Sequence, residues 1–224
     1  MIQVEGLCLR VGAFALQDVN LEIPAGRYGV LMGKTGCGKT TVLEVVCGLR
    51  RPDAGVVRLM GRDVTCLRPA ERGIGYVPQD TALFRTMTVA ENLGFSLRVR
   101  RWSASKAADR VRELGDLLGI AHLLGRRPTG LSGGEAQRVA LGRAMAFEPG
   151  ILCLDEPLSS VDEETRDGLC DLLRLVQRRT GVTVLHVTHN RKEGRVLADH
   201  LFRFTNGRIE SVLAEASDNA PGDA

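Results

Sequence analysis

Residues 33–41 read Gly-Lys-Thr-Gly-Cys-Gly-Lys-Thr-Thr, directly after the apolar run Tyr28-Gly29-Val30-Leu31-Met32. The spacing of Gly33, Gly38, Lys39 and Thr40 fits G-x-x-x-x-G-K-[ST], a strand-to-helix turn whose backbone N–H groups surround phosphate oxygens. Glycine lets the backbone approach an anion with no Cβ in the way, and Lys39 opens a helix whose N-terminal dipole favours negative charge. On this reading Gly33, Lys34, Thr35, Gly36, Cys37, Gly38, Lys39, Thr40 and Thr41 hold phosphates, and the Thr40 hydroxyl ligates Mg2+. The competing reading is a glycine-rich turn that matches by chance, and the rest of the chain decides against it.

Ile151-Leu152-Cys153-Leu154 is a continuous apolar run that ends in Asp155-Glu156-Pro157. Strands of a parallel sheet buried on both faces are continuously apolar, and ligands gather at their carboxyl ends. Both carboxylates are therefore expected beside the phosphates, where Asp155 helps hold the ion and Glu156 orients or deprotonates a water for attack on the γ-phosphate. The bland alternative is a pair of acids capping the next helix. A second such run, Val182–Val187, leads to Thr188-His189, so the His189 imidazole reaches the γ-phosphate as a hydrogen-bond donor. His186, inside the run, reads as a structural histidine.

The chain has 224 residues, 44% hydrophobic and 25% charged, enough for one substantial core or one core with an appended lobe. A net charge of +3 and arginines scattered as pairs give no nucleic-acid footprint, and no nucleic-acid partner is expected. The six cysteines form no C-x-x-C pair, which suggests a reducing compartment. Met1–Glu5 lacks the basic and apolar segments of a signal peptide, and no apolar run approaches the roughly 18 residues needed to span a bilayer. Work at a membrane would need another chain's helices.

Strands are predicted at Ile2–Leu9, Val19–Ile23, Tyr28–Met32 and Val56–Leu59, punctuated by Pro24-Ala25-Gly26 and Pro52-Asp53-Ala54-Gly55. A helix is predicted over Lys39–Cys47, closed by Gly48 as a left-handed cap and followed by Pro52. Thr88-Val89-Ala90-Glu91 has the form of a capping box, and Val111, Leu114, Leu117 and Leu118 recur at helical spacing, so 85–148 reads as mostly helical. Strand and helix then alternate, with Leu169, Leu172, Leu173 and Val176 on one helical face. The fold class is α/β with a helical insertion. The end of the chain, 214–224, is small and polar and is expected to be disordered.

Leu131-Ser132-Gly133-Gly134-Glu135 opens a helix that continues through Ala144, and its hydroxyl and exposed N–H groups make a second anion site. Two half-sites in one chain suggest two chains sharing ligands. With this segment the sequence resembles the ATP-binding cassette (ABC) family over residues 2–209. Gly33–Thr41 looks like its Walker A, Gln79 its Q-loop, Leu131–Glu135 its signature and Ile151–Glu156 its Walker B. Ser159-Ser160-Val161-Asp162 looks like the D-loop and His189 the switch histidine.

The resemblance implies a P-loop NTPase core with an N-terminal antiparallel β subdomain (1–84 and 149–213) and an inserted α-helical subdomain (85–148). It also implies ATP and Mg2+, and a head-to-tail dimer in which the Walker A of one chain and Ser132, Gly133, Gly134 and Asp162 of the other enclose each ATP. Gln79 would link Mg2+ and the attacking water to the helical lobe, which docks on integral membrane permease subunits from the cytoplasmic side. Val77–Phe84 and Met87–Leu93 are most similar to importer ATPases for molybdate, tungstate, sulfate, iron or polyamines. The alternative is a soluble ABC ATPase acting on nucleic acid or ribosomes, which would typically have two cassettes, coiled coils or zinc insertions.

Three departures stand out. The family stacks adenine on an aromatic residue where this chain has Val11, with Phe14 three residues on as a substitute or as a core residue. Arg85-Thr86 replaces the usual Pro-His. Cys37 stands in the phosphate loop, where its thiolate would be favoured and a thiol reagent would block nucleotide binding. Many similar importer ATPases carry a further C-terminal β-rich regulatory domain, which is not expected in this chain.

Overall fold

The protein is described by a computed structural model covering residues 1–212. Its first sheet is antiparallel, built from β1 (Ile2–Val11), β2 (Phe14–Ile23), β4 (Ala54–Leu59) and β5 (Arg62–Asp63) in the order β2-β1-β4-β5. Ile2 and Val4 face the core at even positions, but Leu7 and Leu9 do so at odd ones. A bulge between Val4 and Leu7, with Gly6 at φ 57, makes the change of parity possible.

The second sheet has the order β10-β9-β3-β8-β7-β6. Its strands are β3 (Tyr28–Met32), β6 (Ile74–Val77), β7 (Ile151–Asp155), β8 (Thr183–Thr188), β9 (His200–Thr205) and β10 (Arg208–Val212). All neighbours are parallel except the β9–β10 hairpin. Every residue of β7 and β8 is buried, as expected for central strands covered on both faces.

Helix α1 (Lys39–Cys47) lies between the two sheets, and Val42, Leu43, Val45 and Val46 have no exposed surface. They form one core with Val4, Val57, Leu31, Leu185 and Phe202. The helix ends where the sequence indicates, at Gly48 with φ 79, whose N–H caps the last turn. The opposite face of the second sheet is covered by α2 (Val89–Val99), α3 (Ala104–Leu117), α4 (Gly133–Met145), α5 (Glu163–Thr180) and α6 (Arg191–Leu197), which share a second core with Val77, Leu152, Leu154 and Val184.

Several expectations are refined. The strand read at Val19–Ile23 begins at Phe14, and the stretch 85–148 contains three α-helices and a short 3-10 turn at Ala121–Leu123, joined by loops. Strands β5, β6, β9 and β10 and helix α6 had no counterpart in the sequence reading. The expected disordered end, 214–224, lies outside the described residues. Among the described residues no helix is long and apolar enough to cross a membrane.

Candidate functional site

Parallel register lines up three strand ends. Leu31 of β3 and Asp155 of β7 both pair with Val187 of β8, so the segments leaving these strands emerge side by side. They carry the glycine-rich loop, Glu156 and His189. Strand β6 pairs Val77 with Leu154, so Gln79, exposed two residues beyond that strand, emerges at the same edge.

Four side-chain contacts knit this edge together. Thr40 Oγ1 donates to Asp155 Oδ1 over 3.0 Å. Lys39 Nζ, on a residue only 3% exposed, donates to the Lys34 carbonyl at 2.9 Å and lies 3.6 Å from Glu156 Oε1. The other carboxylate oxygen, Glu156 Oε2, is 2.9 Å from His189 Nδ1. A carboxylate only accepts, so Nδ1 carries the hydrogen. A neutral His189 then offers Nε2 as an acceptor, and donates there as well only when doubly protonated. Glu156 itself is held at φ 45, with its N–H donating to the Val187 carbonyl at 2.9 Å and its own carbonyl accepting from Ser159 N–H at 3.1 Å.

Burial lifts the Asp155 carboxyl above its ordinary range, against the hydrogen bond from Thr40. A hydroxyl and a carboxylate, both oxygen donors, are the ligands a hard cation such as Mg2+ takes. No cluster of three or more His, Cys, Asp or Glu among the described residues can hold a metal alone. An ion here would complete its shell with phosphate and water oxygens. The loop fits an anion too: Lys34, Thr35 and Gly36 are exposed, and a Cβ on Gly36 would meet nothing within 4 Å.

Gly38 is the tight point. Its φ of 111 is accessible to glycine, and a Cβ there would collide with the Phe14 ring. Phe14 therefore packs on the loop as part of the inter-sheet core, while Val11, 39% exposed, stands open at the hairpin tip. Phe14 is partly buried and its ring lies against Gly38 of the loop. Cys37 is half-buried beneath the loop, with its N–H donating to the Lys34 carbonyl at 3.3 Å.

Ser132, Gly133 and Gly134 are not gathered with these groups; they open α4 on the helical side. Ser132 Oγ accepts from Glu135 N–H at 3.2 Å, and Glu135 Oε2 accepts from Ser132 N–H at 2.7 Å. A Cβ on Gly133 would lie 3.2 Å from the Ser160 carbonyl, and one on Gly134 would lie 2.7 Å from Thr165 Cγ2. The small residues thus let α4 approach the start of α5. Asp162 caps α5, accepting from Thr165 N–H at 2.9 Å, and that bond holds its carboxyl below the ordinary range.

Beneath His189 lies a buried polar network that the sequence reading did not find. The Tyr28 hydroxyl is hydrogen-bonded to His186 Nδ1 at 3.0 Å, and His186 Nε2 is 3.5 Å from Glu193 Oε2. Thr188 Oγ1 donates to the same oxygen at 2.6 Å and accepts from Asn190 N–H at 3.0 Å. Arg166 of α5 puts Nε 3.9 Å from Glu193 Oε1 and donates through Nη2 to the Val161 carbonyl at 2.7 Å. Glu193 thereby ties the end of β8 to the start of α5. His186, fully buried, is structural, in agreement with the sequence reading.

Comparison with known proteins gives a consistent picture. Residues 16–159 match the family described as ABC transporter. The chain is 49% identical over 212 residues to the sulfate/thiosulfate import ATP-binding protein CysA 2 of Chromobacterium violaceum, covering 94% of this chain and 58% of that protein. It is 50% identical over 202 residues to the molybdate/tungstate import ATP-binding protein WtpC of Archaeoglobus fulgidus, covering 89% and 82%. It thus spans less than two thirds of the length of the first of these relatives. A solved dimeric post-hydrolysis structure of the ATP-binding cassette MJ0796, bound to ADP and Pi, superimposes with a TM-score of 0.82 at 28% identity, covering 94% of this chain and 97% of that one.

Proposed function

As the chain belongs to the ABC transporter family, we propose that it is the ATP-hydrolysing subunit of an importer, closing as a dimer around ATP and driving membrane permease subunits. The observation that carries the reading is the convergence of Lys39, Thr40, Asp155, Glu156 and His189 at one sheet edge beside an exposed glycine-rich loop. The names of the two relatives support import, and a dimeric structural neighbour supports the paired assembly.

The division of labour follows from the chemistry of each group. Loop N–H groups and the α1 N-terminus bind the phosphates, and Lys39 turns from the Lys34 carbonyl and Glu156 toward them. Thr40 and Asp155 would hold Mg2+, with Gln79 reaching toward it from the β6 end. Mg2+, when bound, neutralises charge developing on the β- and γ-phosphate oxygens. Glu156 takes a proton from water as the water oxygen bonds to the γ-phosphorus and the bond to the departing ADP oxygen breaks. His189 keeps that carboxylate aimed through Nδ1 and turns its other ring nitrogen, Nε2, to the γ-phosphate.

Ser132, Gly133, Gly134 and Asp162 serve the partner's nucleotide, so the clamp closes only with both ATPs present. The adenine contact would fall to Val11, exposed at the hairpin tip, or to Phe14 beside the loop. One ATPase domain spans 1–213, with the core in 1–84 and 149–213 and the helical lobe in 85–148 facing the permease at the cytoplasmic membrane surface.

The test is Glu156→Gln, which keeps the shape and removes the base. Hydrolysis should fall by roughly 10²–10⁴-fold, while ATP binding persists and a dimer accumulates on size exclusion in ATP. Hydrolysis at the parent rate would sink the assignment.

A further inference from the structure

Two consecutive non-glycine residues sit in the left-handed region just past Gln79 and Asp80: Thr81 at φ 57 and Ala82 at φ 44. Such a pair is strained for L-residues and persists only where surrounding groups over-determine it. The local bonds are short-range, Thr81 N–H to the Pro78 carbonyl at 3.1 Å and Ala82 N–H to the Asp80 carbonyl at 2.7 Å. They leave the carbonyls of Thr81 and Ala82 turned outward. Arg143, in the last turn of α4, takes both: Nη1 donates to the Ala82 carbonyl at 2.6 Å and Nη2 to the Thr81 carbonyl at 2.8 Å.

The guanidinium is fixed on other sides as well. It lies 5.1 Å over the Phe84 ring, which packs on Phe95 of α2 at 4.6 Å between centroids. The far end of the loop is held by Asn92 of α2, fully buried. Its Oδ1 accepts from Phe84 N–H at 2.9 Å, and its Nδ2 donates to the Phe84 carbonyl at 3.1 Å and the Thr88 carbonyl at 2.9 Å. Residues 81–88 are thus bonded to helices α2 and α4, and α4 is the helix that starts at Ser132.

We infer that Arg143 is a positioning residue for hydrolysis, locking the strained turn beside Gln79 to the helix that begins at Ser132 so that Gln79 and Ser132 shift as one body. A planar fork serves two carbonyls at once; an ammonium in its place holds one. The inference rests on the function proposed above, because it gives the loop a task in ATP turnover.

The experiment compares the full chain with Arg143→Ala and Arg143→Lys. Without nucleotide, amide hydrogen exchange is followed across the molecule and tryptic cleavage after Arg85 is timed. Mg-ADP affinity is then measured by calorimetry, and kcat and KM for ATP by phosphate release. The alanine variant should exchange at least tenfold faster within 79–87 and little changed in α1 and β7, bind Mg-ADP within twofold of the parent, and lose kcat tenfold or more at similar KM. The lysine variant should fall between.

Unchanged loop exchange or unchanged kcat in a folded alanine variant overturns the proposal. So does faster exchange spread over the whole fold, or a loss of Mg-ADP affinity that matches the loss in kcat. If Arg143→Ala does not fold, Arg143→Lys carries the test, and its unfolding too would assign Arg143 to the fold alone and overturn the positioning role. A parent chain without ATPase activity would refute the proposed function instead, while the exchange and cleavage arms would still read the clamp.

Discussion

Thr40, in the first turn of α1, donates to Asp155, the last residue of β7, across 3.0 Å and 115 positions of sequence. Without that bond the buried carboxylate would lose the one neighbouring hydroxyl that opposes its desolvation. The pair is a ready oxygen site for a divalent ion. Thr40→Val should therefore bind ATP in EDTA as the parent does, yet gain little affinity when Mg2+ is added. Isothermal titration with and without Mg2+ checks this, and an undiminished gain would remove Thr40 from the ion site.

Glu193 carries the pH prediction. Burial works to raise its carboxyl, but the neighbouring His186, the Thr188 hydroxyl and Arg166 outweigh it and hold the group below the ordinary carboxylate value. A carboxyl depressed in the folded state contributes stability that is fully present above its unfolded pKa and is lost as pH falls through the folded one. Glu193→Gln should cost about 2 kcal/mol at neutral pH, the scale of hydrogen bonds to a charged group. That is a fall in Tm of roughly 4–8 °C for a chain of this size. The variant's deficit should shrink below about pH 4, and a deficit independent of pH from 3 to 7 would contradict the account.

Gly142 on α4 sits where a Cβ would come within 2.5 Å of Leu93 Cδ2 and 2.7 Å of Leu118 Cδ1. Alanine gains about 1 kcal/mol in helix propensity over glycine, but forcing a methyl into this three-helix contact costs about 1–3 kcal/mol. Gly142→Ala should lower Tm by a few degrees in thermal melts. A higher Tm would show that the two leucines give way freely.

Cys37 provides a chemical probe. A maleimide attached there would fill the space beneath the phosphate loop, where a Cβ on Gly33 would already lie 2.9 Å from the sulfur. Labelling should abolish nucleotide binding in the parent and leave Cys37→Ser unaffected, with Cys66, the exposed thiol, reacting in both. Retained binding after complete labelling of Cys37, verified by mass spectrometry, would contradict this.

The elements that could be read in advance are those whose signals are local. Helix α1 matched at both ends because a strand, a glycine turn, an apolar face and the Gly48 cap all fall within residues 28–48. Thr88 forms the capping box read from its spacing with Glu91. The C-terminal hairpin also carried a local signal: Asn206 and Gly207, at φ 51 and 78, are the pair a two-residue turn prefers, and it passed unread. Strand β6 had no such cue. Four residues are too few for periodicity, and Gly75 is there because a Cβ would clash with the Ala144 carbonyl at 2.5 Å, a contact nearly seventy positions away. Lys39, Thr40, Asp155, Glu156 and His189 were legible because each stands at a strand or helix end in a recognisable pattern. Arg143 and Glu193 were not, since what distinguishes them is the carbonyls and carboxylate contacts that only folding brings together.

Helix α1 meets protein on both sides, with the antiparallel sheet on one flank and the mixed sheet on the other. A helix so enclosed cannot tilt or slide without emptying both interfaces, so the loop at its tip greets ADP and ATP with the same shape and little ordering left to do. On the function proposed above, telling a diphosphate from a triphosphate would therefore fall to the outward-reaching ends of the other strands, where Gln79 and His189 stand exposed.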